Sequence, residues 1–208
     1  AFAEYLTLPE ENLFEVPSTL TDEEAVFTEP VAAACEILDQ VQILAGAPVA
    51  VLGDGKLGLL IAQVLQLHGA HVRMYGRHPH KMQLVAPLGV THEVVNGTAP
   101  AIMYDYVVDA TGSSAGLQHA IAITRPRGTL ILKSTVHDRV SIDTAPVIVN
   151  EITLVGSRCG RFAPALDLIR SGRLILRPLI HDVFPLAEAP EAFERAAQKG
   201  VLKVLLKG

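Results

Sequence analysis

Val49-Ala-Val-Leu-Gly53-Asp-Gly55-Lys-Leu-Gly58 runs four apolar residues into three glycines spaced G-x-G-x-x-G, and an apolar segment follows without a break. The pattern predicts a buried strand, a tight turn and the N-terminus of a helix. Gly53 allows the sharp turn, Gly55 lets backbone approach a ligand, and Gly58 lets the helix pack closely on the strand. Unpaired amides at the helix start, with the helix dipole behind them, attract an anion. This is the arrangement that receives the pyrophosphate of a dinucleotide, with Lys56 and Leu57 at the head of the helix as further cofactor-binding positions.

Outward from this stretch the periodicity alternates between strand and helix. A helix is predicted over 56–68, where Leu57, Leu60, Ile61, Val64, Leu65 and Leu67 leave little polar face, so it is sandwiched between layers. A strand at 71–75, a helix at 79–88 and a short strand near 92–95 follow. Tyr106-Val-Val-Asp109-Ala-Thr-Gly112 reads as a strand entering a small-residue turn, 114–123 as a helix, and 128–133 and 151–156 as strands. Strands alternating with single helices give a parallel sheet by the right-handed crossover rule. The fold class is therefore α/β, a Rossmann doubly wound parallel sheet. Before it, Ala1 to Pro17 reads as two short strands. Thr21 and Glu24 form a capping box, and a helix interrupted near Pro30 resumes over 31–44. After it come a helix at 162–171, a strand at 179–184, a helix at 189–198 and a strand at 201–206.

Composition narrows the function classes. The chain has 208 residues, half of them hydrophobic and 19% charged, which suits a packed α/β protein. Its net charge of −5 and lack of a basic block argue against nucleic acid as a partner. No apolar run is long enough to span a bilayer and no basic-then-apolar leader opens the chain, so a membrane partner is not expected and a cytoplasmic location is. Cys35 and Cys159 have neither zinc-knuckle nor redox spacing and are expected as buried or half-buried free thiols.

The ordered series of segments resembles the zinc-type alcohol dehydrogenase family, the medium-chain dehydrogenases and reductases. The likeness is carried by Ala1-Phe-Ala-Glu-Tyr5, Val16-Pro17, Glu23-Glu24-Ala25, Glu29-Pro30, the glycine turn, Asp109-Ala-Thr-Gly112 and Arg127-Gly128-Thr129. Pro178-Leu-Ile180, Phe184-Pro-Leu186, Ala192-Phe193 and Leu202-Lys-Val-Leu-Leu206 continue it to the end. The resemblance implies remnants of a catalytic domain at 1–30, a dinucleotide-binding domain at 31–157 and a return to the catalytic domain at 158–208. It also implies that the N-terminal portion carrying a cysteine and a His-Glu pair for zinc is absent from this chain. Glu29-Pro30 matches the polyol and glucose dehydrogenase branches, in which the glutamate lies at the zinc. Glu29 is thus a metal ligand only in a full-length enzyme.

NAD-binding members of the family place an acid at the end of the second strand. Here that point reads Tyr75-Gly76-Arg77-His78-Pro79-His80-Lys81. Glycine in place of the acid makes room for a 2′-phosphate and arginine can bind it bidentately, so NADP(H) is expected over NAD(H). Arg77 is the principal ligand, with His78 and Lys81 as helpers. The resemblance further assigns Thr111 and Gly112 to the dinucleotide, Ser134 and Thr135 to the nicotinamide ribose, Ser157 and Arg158 to the same end, and Lys203 to the pyrophosphate.

The expected activity is hydride transfer between a small alcohol or carbonyl substrate and a nicotinamide, with this chain as the cofactor-binding portion, not catalytically competent alone. Two other readings stay open: a zinc-free reductase like the family's quinone and enoyl branches, and a nucleotide-binding or interaction module without catalysis. Family members commonly dimerise edge to edge through the strand around 151–156, and the resemblance implies the same homodimer here.

Overall fold

Val49, Ala50 and Val51 are wholly buried because they lie at the centre of a sheet, where a strand flanked on both sides and covered on both faces has no polar face to show. In the computed structural model, which describes residues 2–97, 102–135 and 140–208, this strand is β1 (Pro48–Leu52). It pairs in parallel with β2 (His71–Gly76) on one side and β4 (Tyr104–Asp109) on the other. The remaining strands, β3 (Thr91–Val94), β5 (Thr124–Leu132) and β6 (Thr153–Gly156), complete a six-stranded sheet in the order β3-β2-β1-β4-β5-β6, parallel throughout. The chain order reverses between β1 and β4, which opens a crevice at the carboxyl ends of those strands.

Alternation along β1 splits the core in two. Val49 and Val51 face a large apolar cluster with α2 (Thr28–Gln40), α3 (Lys56–His68) and α7 (Phe162–Arg170), while Ala50 and Leu52 face a smaller one with α5 (Ser114–Ile123). Leu59, Leu60 and Ile61 of α3 are fully buried, as expected for a helix between the sheet and α2. Gln63, also fully buried, takes the Ile175 N–H at 2.7 Å and donates to the Ile175 carbonyl at 3.2 Å. That exchange ties the segment after α7 to α3. The second sheet is a parallel pair, β7 (Ile180–Pro185) and β8 (Lys203–Lys207), joined by α8 (Ala189–Ala196).

Most element boundaries fall where the sequence predicts them, and four expectations need correction. Residues 2–17 form no strands; a single 3-10 turn at Glu10–Asn12 interrupts an exposed, extended path. A strand needs a neighbour to take its amides, and this segment instead lays Phe2 against Phe193 and Phe14 against Phe162, with ring centroids 5.3 and 5.0 Å apart. The break expected near Pro30 comes earlier, between α1 (Asp22–Ala25) and Thr28, because Pro30 sits in the first turn of α2, where no amide donor is needed. The helix expected over 79–88 is α4 (Pro79–Met82) followed by 3-10 turns at Gln83–Leu88, with Pro87 inside. Cys159 is exposed rather than buried, while Cys35 is half-buried. The last helix of the main sheet, α6 (Ala145–Val149), leads into β6, and no described helix is long and apolar enough to cross a membrane.

The packing of α3 on β1 makes a prediction of sign. Glycine within a helix ordinarily costs about 0.5–1 kcal/mol relative to alanine. At Gly58, however, a Cβ would overlap the Gly53 carbonyl oxygen and stand 3.0 Å from its carbonyl carbon. Gly58→Ala is therefore expected to lower stability by about 1–3 kcal/mol, as overpacking does. Urea unfolding followed by circular dichroism measures it, and a stabilised variant contradicts the close packing.

Candidate cofactor-binding cleft

At the carboxyl ends of β1, β2 and β4 lies a cavity of about 600 Å³, within the range of small-molecule sites. Its floor is the glycine turn. Gly53 has φ +112°, and a Cβ there would overlap the Ala110 carbonyl oxygen, so only glycine fits. The Gly53 N–H donates to the Tyr75 carbonyl at 2.8 Å and the Ala110 N–H to the Leu52 carbonyl at 2.8 Å, which stitches the turn to both neighbouring strands. A Cβ on Gly55 would meet nothing within 4 Å, so this residue faces open space. Gly55 is also the N-cap of the 13-residue α3, and no side chain caps that end. The first amides of α3, from Lys56, Leu57 and Gly58, therefore stand without intrahelical or side-chain acceptors beside the cavity. A diphosphate fits this cradle by approach, by donor supply and by dipole.

At the end of β2, Gly76, Arg77 and His78 line the cavity, but a side chain not singled out in the sequence joins them. The Asp54 carboxylate accepts the Arg77 N–H at 2.7 Å, the His78 N–H at 2.6 Å and a contact from His78 Nδ1 at 3.0 Å, all on Oδ2. Burial raises the Asp54 pKa, but these hydrogen bonds and the His78 charge outweigh it and leave the carboxyl below its ordinary range. The expectation that Gly76 makes room for a phosphate is corrected by this neighbour. A Cβ on Gly76 would come within 2.6 Å of both Asp54 Cβ and Oδ2, so the room beside the glycine belongs to Asp54. The Arg77 side chain is exposed and, among the described residues, in no ion pair. Lys81, expected as a helper, is 7% exposed and does not line the cavity.

At the end of β4, Asp109 is 3% exposed and its Oδ1 accepts the Thr111 N–H at 3.0 Å and the Thr111 hydroxyl at 2.7 Å. Burial pushes its pKa up, against the Thr111 hydrogen bonds. Its work is to fold the loop: Thr111 lines the cavity, and a Cβ on Gly116 would run into the Thr111 side chain. Gly112, at φ +65°, donates its N–H to Ser134 Oγ at 2.8 Å, and Ser134 donates onward to the Asp109 carbonyl at 3.3 Å. Thr135 is exposed just beyond.

The remaining expected residues fall outside the cavity lining. Ser157 is buried, and its Oγ accepts from Lys133 Nζ at 3.0 Å; the same ammonium donates to the Ala33 and Arg158 carbonyls at 2.6 and 2.9 Å. This lysine, which the sequence reading passed over, clamps α2 to the loop after β6, and burial lowers its pKa. Lys203 sits 5.1 Å from the centroid of the Phe27 ring. Its pKa is lowered by burial first and by the like charge of Lys56, against the opposite pull of Glu29. Glu29 is exposed. Among the described residues no group of three His, Cys, Asp or Glu is disposed to hold a metal ion, so these residues do not fit a catalytic zinc. His78 and His80 stack edge to face at 5.9 Å, and His137 lies outside the described residues.

A six-stranded parallel sheet with a glycine turn at its point of reversal and an uncapped helix above it defines a Rossmann fold. The zinc-binding dehydrogenase family profile matches residues 57–171, more than half of the chain, and the chain belongs to that family. Among curated relatives, D-xylulose reductase A of Aspergillus oryzae is 27% identical over 228 residues, covering 99% of this chain and 63% of its own length. The chain thus spans about 63% of the length of such relatives. Alcohol dehydrogenase TADH from Thermus sp. ATN1 superposes with a TM-score of 0.88 at 29% identity, over 99% of this chain and 66% of that one. A Sinorhizobium meliloti 1021 protein crystallised bound to NADP superposes with a TM-score of 0.89 at 27% identity, over 100% of this chain and 66% of that one.

Proposed function

We propose that this chain is the cofactor-binding portion of an NADP(H)-dependent zinc-type alcohol or polyol dehydrogenase. The observation that carries the reading is the open cradle at Gly55 and the uncapped head of α3, with Arg77 at the adenosine end of the same cavity. D-xylulose reductase A among the relatives and the NADP-bound Sinorhizobium protein among the similar structures support it. The amides of Lys56, Leu57 and Gly58 at the head of α3 hold the pyrophosphate over Gly55, Arg77 meets the 2′-phosphate, and Thr111 and Gly112 border the path toward the nicotinamide. Ser134 orders Gly112 from behind, while Lys56 and Lys203 supply positive charge near the diphosphate. The bound nicotinamide itself supplies hydride chemistry. Glu29 is one oxygen donor without a cluster of further donors around it among the described residues, and hydride transfer is assigned to the whole dehydrogenase rather than to this portion alone. Residues 1–30 and 158–208 are assigned to the flanking catalytic layer and 31–157 to the cofactor domain.

Calorimetric titration with NADPH and NADH tests the reading. NADPH is expected to bind at least about tenfold more tightly, a difference near 1.4 kcal/mol. Arg77→Ala is expected to erase that difference by weakening NADPH while leaving NADH within threefold. Equal binding of the two cofactors by the unsubstituted chain would refute the 2′-phosphate assignment; binding of neither would refute the cofactor role.

The same family reading supports a homodimer through β6. Ile148 and Val149 beside it are 72% and 79% exposed and β6 is the edge of the sheet, where amides and carbonyls await a partner strand. Sedimentation velocity is expected to find a dimer at micromolar concentration and a monomer for Val149→Asp. A monomeric parent chain would end this assignment.

A further inference from the structure

We propose that Asp54, the residue between the first two glycines of the turn, is a positioning residue that sets the Arg77–His78 segment for the adenosine 2′-phosphate; this rests on the NADP(H) reading above. An acid beside an exposed arginine ordinarily pairs with its guanidinium. Asp54 does not. Its Oδ2 takes the Arg77 and His78 backbone amides at 2.7 and 2.6 Å and the His78 ring at 3.0 Å, and its side chain is only 13% exposed. Three donors converge on one oxygen, so the negative charge is directed into the turn and the guanidinium is left toward the cavity.

The surrounding geometry makes this contact specific. Residues 77 and 78 lie between the end of β2 and the start of α4, where neither amide has a sheet or helix acceptor. His78 is the N-cap of α4 and its side chain makes no capping bond, so it does not brace the helix start itself. Gly76 is the one residue type that admits the Asp54 carboxylate, since a Cβ there would come within 2.6 Å of it. The pair Asp54 and Gly76 therefore replaces a side chain at the end of β2 with one projected from the glycine turn. The consequence is a preformed site: a loose Arg77 segment would have to be ordered at the moment of binding, and its apparent affinity would fall by the fraction of time spent elsewhere. The same contact joins the pyrophosphate cradle to the adenosine end, since Asp54 is flanked by Gly53 and Gly55.

Titration of Asp54→Ala and Asp54→Asn with NADPH and NADH separates the possible roles, with thermal melting to verify folding. D54A removes every acceptor and is expected to weaken NADPH at least tenfold while NADH shifts by less than threefold. D54N keeps an amide oxygen for the two N–H donors and is expected to restore NADPH to within threefold of the parent, a rescue that a general loss of structure would not show. A gain in NADPH affinity in either variant, or a loss confined to NADH, would mean that the carboxylate reads the ribose hydroxyls directly, and would overturn the proposal. So would a D54A that binds both cofactors as the parent does. If D54A does not fold, D54N decides: NADPH within threefold of the parent supports the acceptor role and a gain overturns it. A parent chain without NADPH preference defeats the earlier reading; a parent with that preference and an unaffected D54A defeats this inference alone.

Discussion

Three stretches of backbone meet at Gly53 with no side chain between them, and the geometry of the cleft depends on that meeting. The carbonyl of Ala110 occupies the space where a Cβ of residue 53 would stand, and the carbonyl of Gly53 occupies the corresponding space at residue 58. The turn and the helix thus approach more closely than any side chain at residue 53 or 58 would allow. Because α3 starts one residue after Gly55, its unpaired amides fall at the point where β1 ends and the sheet order reverses. Close packing of backbone and an open anion site are here one feature. The fully buried Leu59, Leu60 and Ile61 hold the helix against the sheet and keep that position from drifting.

Around this constraint the charged groups divide by task. Asp109 is turned inward, where it shapes the Thr111 loop and, among the described residues, has no guanidinium or ammonium partner. Lys133 is likewise spent on structure, joining α2 to residues 157 and 158 through carbonyl and hydroxyl oxygens. Asp54 braces the turn that carries Arg77. What remains open toward the crevice is mainly positive or amide in character: the head of α3 and Arg77. The head of α3 and the Arg77 segment are linked through the Asp54 carboxylate, which accepts the Arg77 and His78 amides.

The sheet was legible because buried parallel strands are short apolar runs and the glycine spacing has a mechanical reason at each position. The strands at 49–52 and 71–75 and the helices at 56–68 and 114–123 are of this kind. Residues 2–17 misled because alternation of apolar residues signals a strand only if a partner is available, and none of the described strands lies beside them. In the cleft, Gly53, Gly55, Gly76, Arg77, His78 and Thr111 line one cavity. Asp54 was hidden inside the motif, since a residue marked x carries no pattern of its own. The signal that could have found it is paired: an acid in the turn and a glycine at the end of the next strand, one filling the gap left by the other. Lys133 gave no signal, because its acceptors are two carbonyls and a hydroxyl brought from distant parts of the chain.

The central claim is that the cradle at Gly53–Gly58 holds the diphosphate while the end of β2 holds the adenosine phosphate. The most direct test is a map of backbone amide resonances on titration with NADPH. The largest shifts are expected at Gly53 to Gly58, at Gly76 to His78 and at Ala110 to Gly112, three segments separated in sequence and adjacent at the crevice. Shifts concentrated in β6 to β8, or saturating binding that leaves the glycine turn unmoved, would contradict the account.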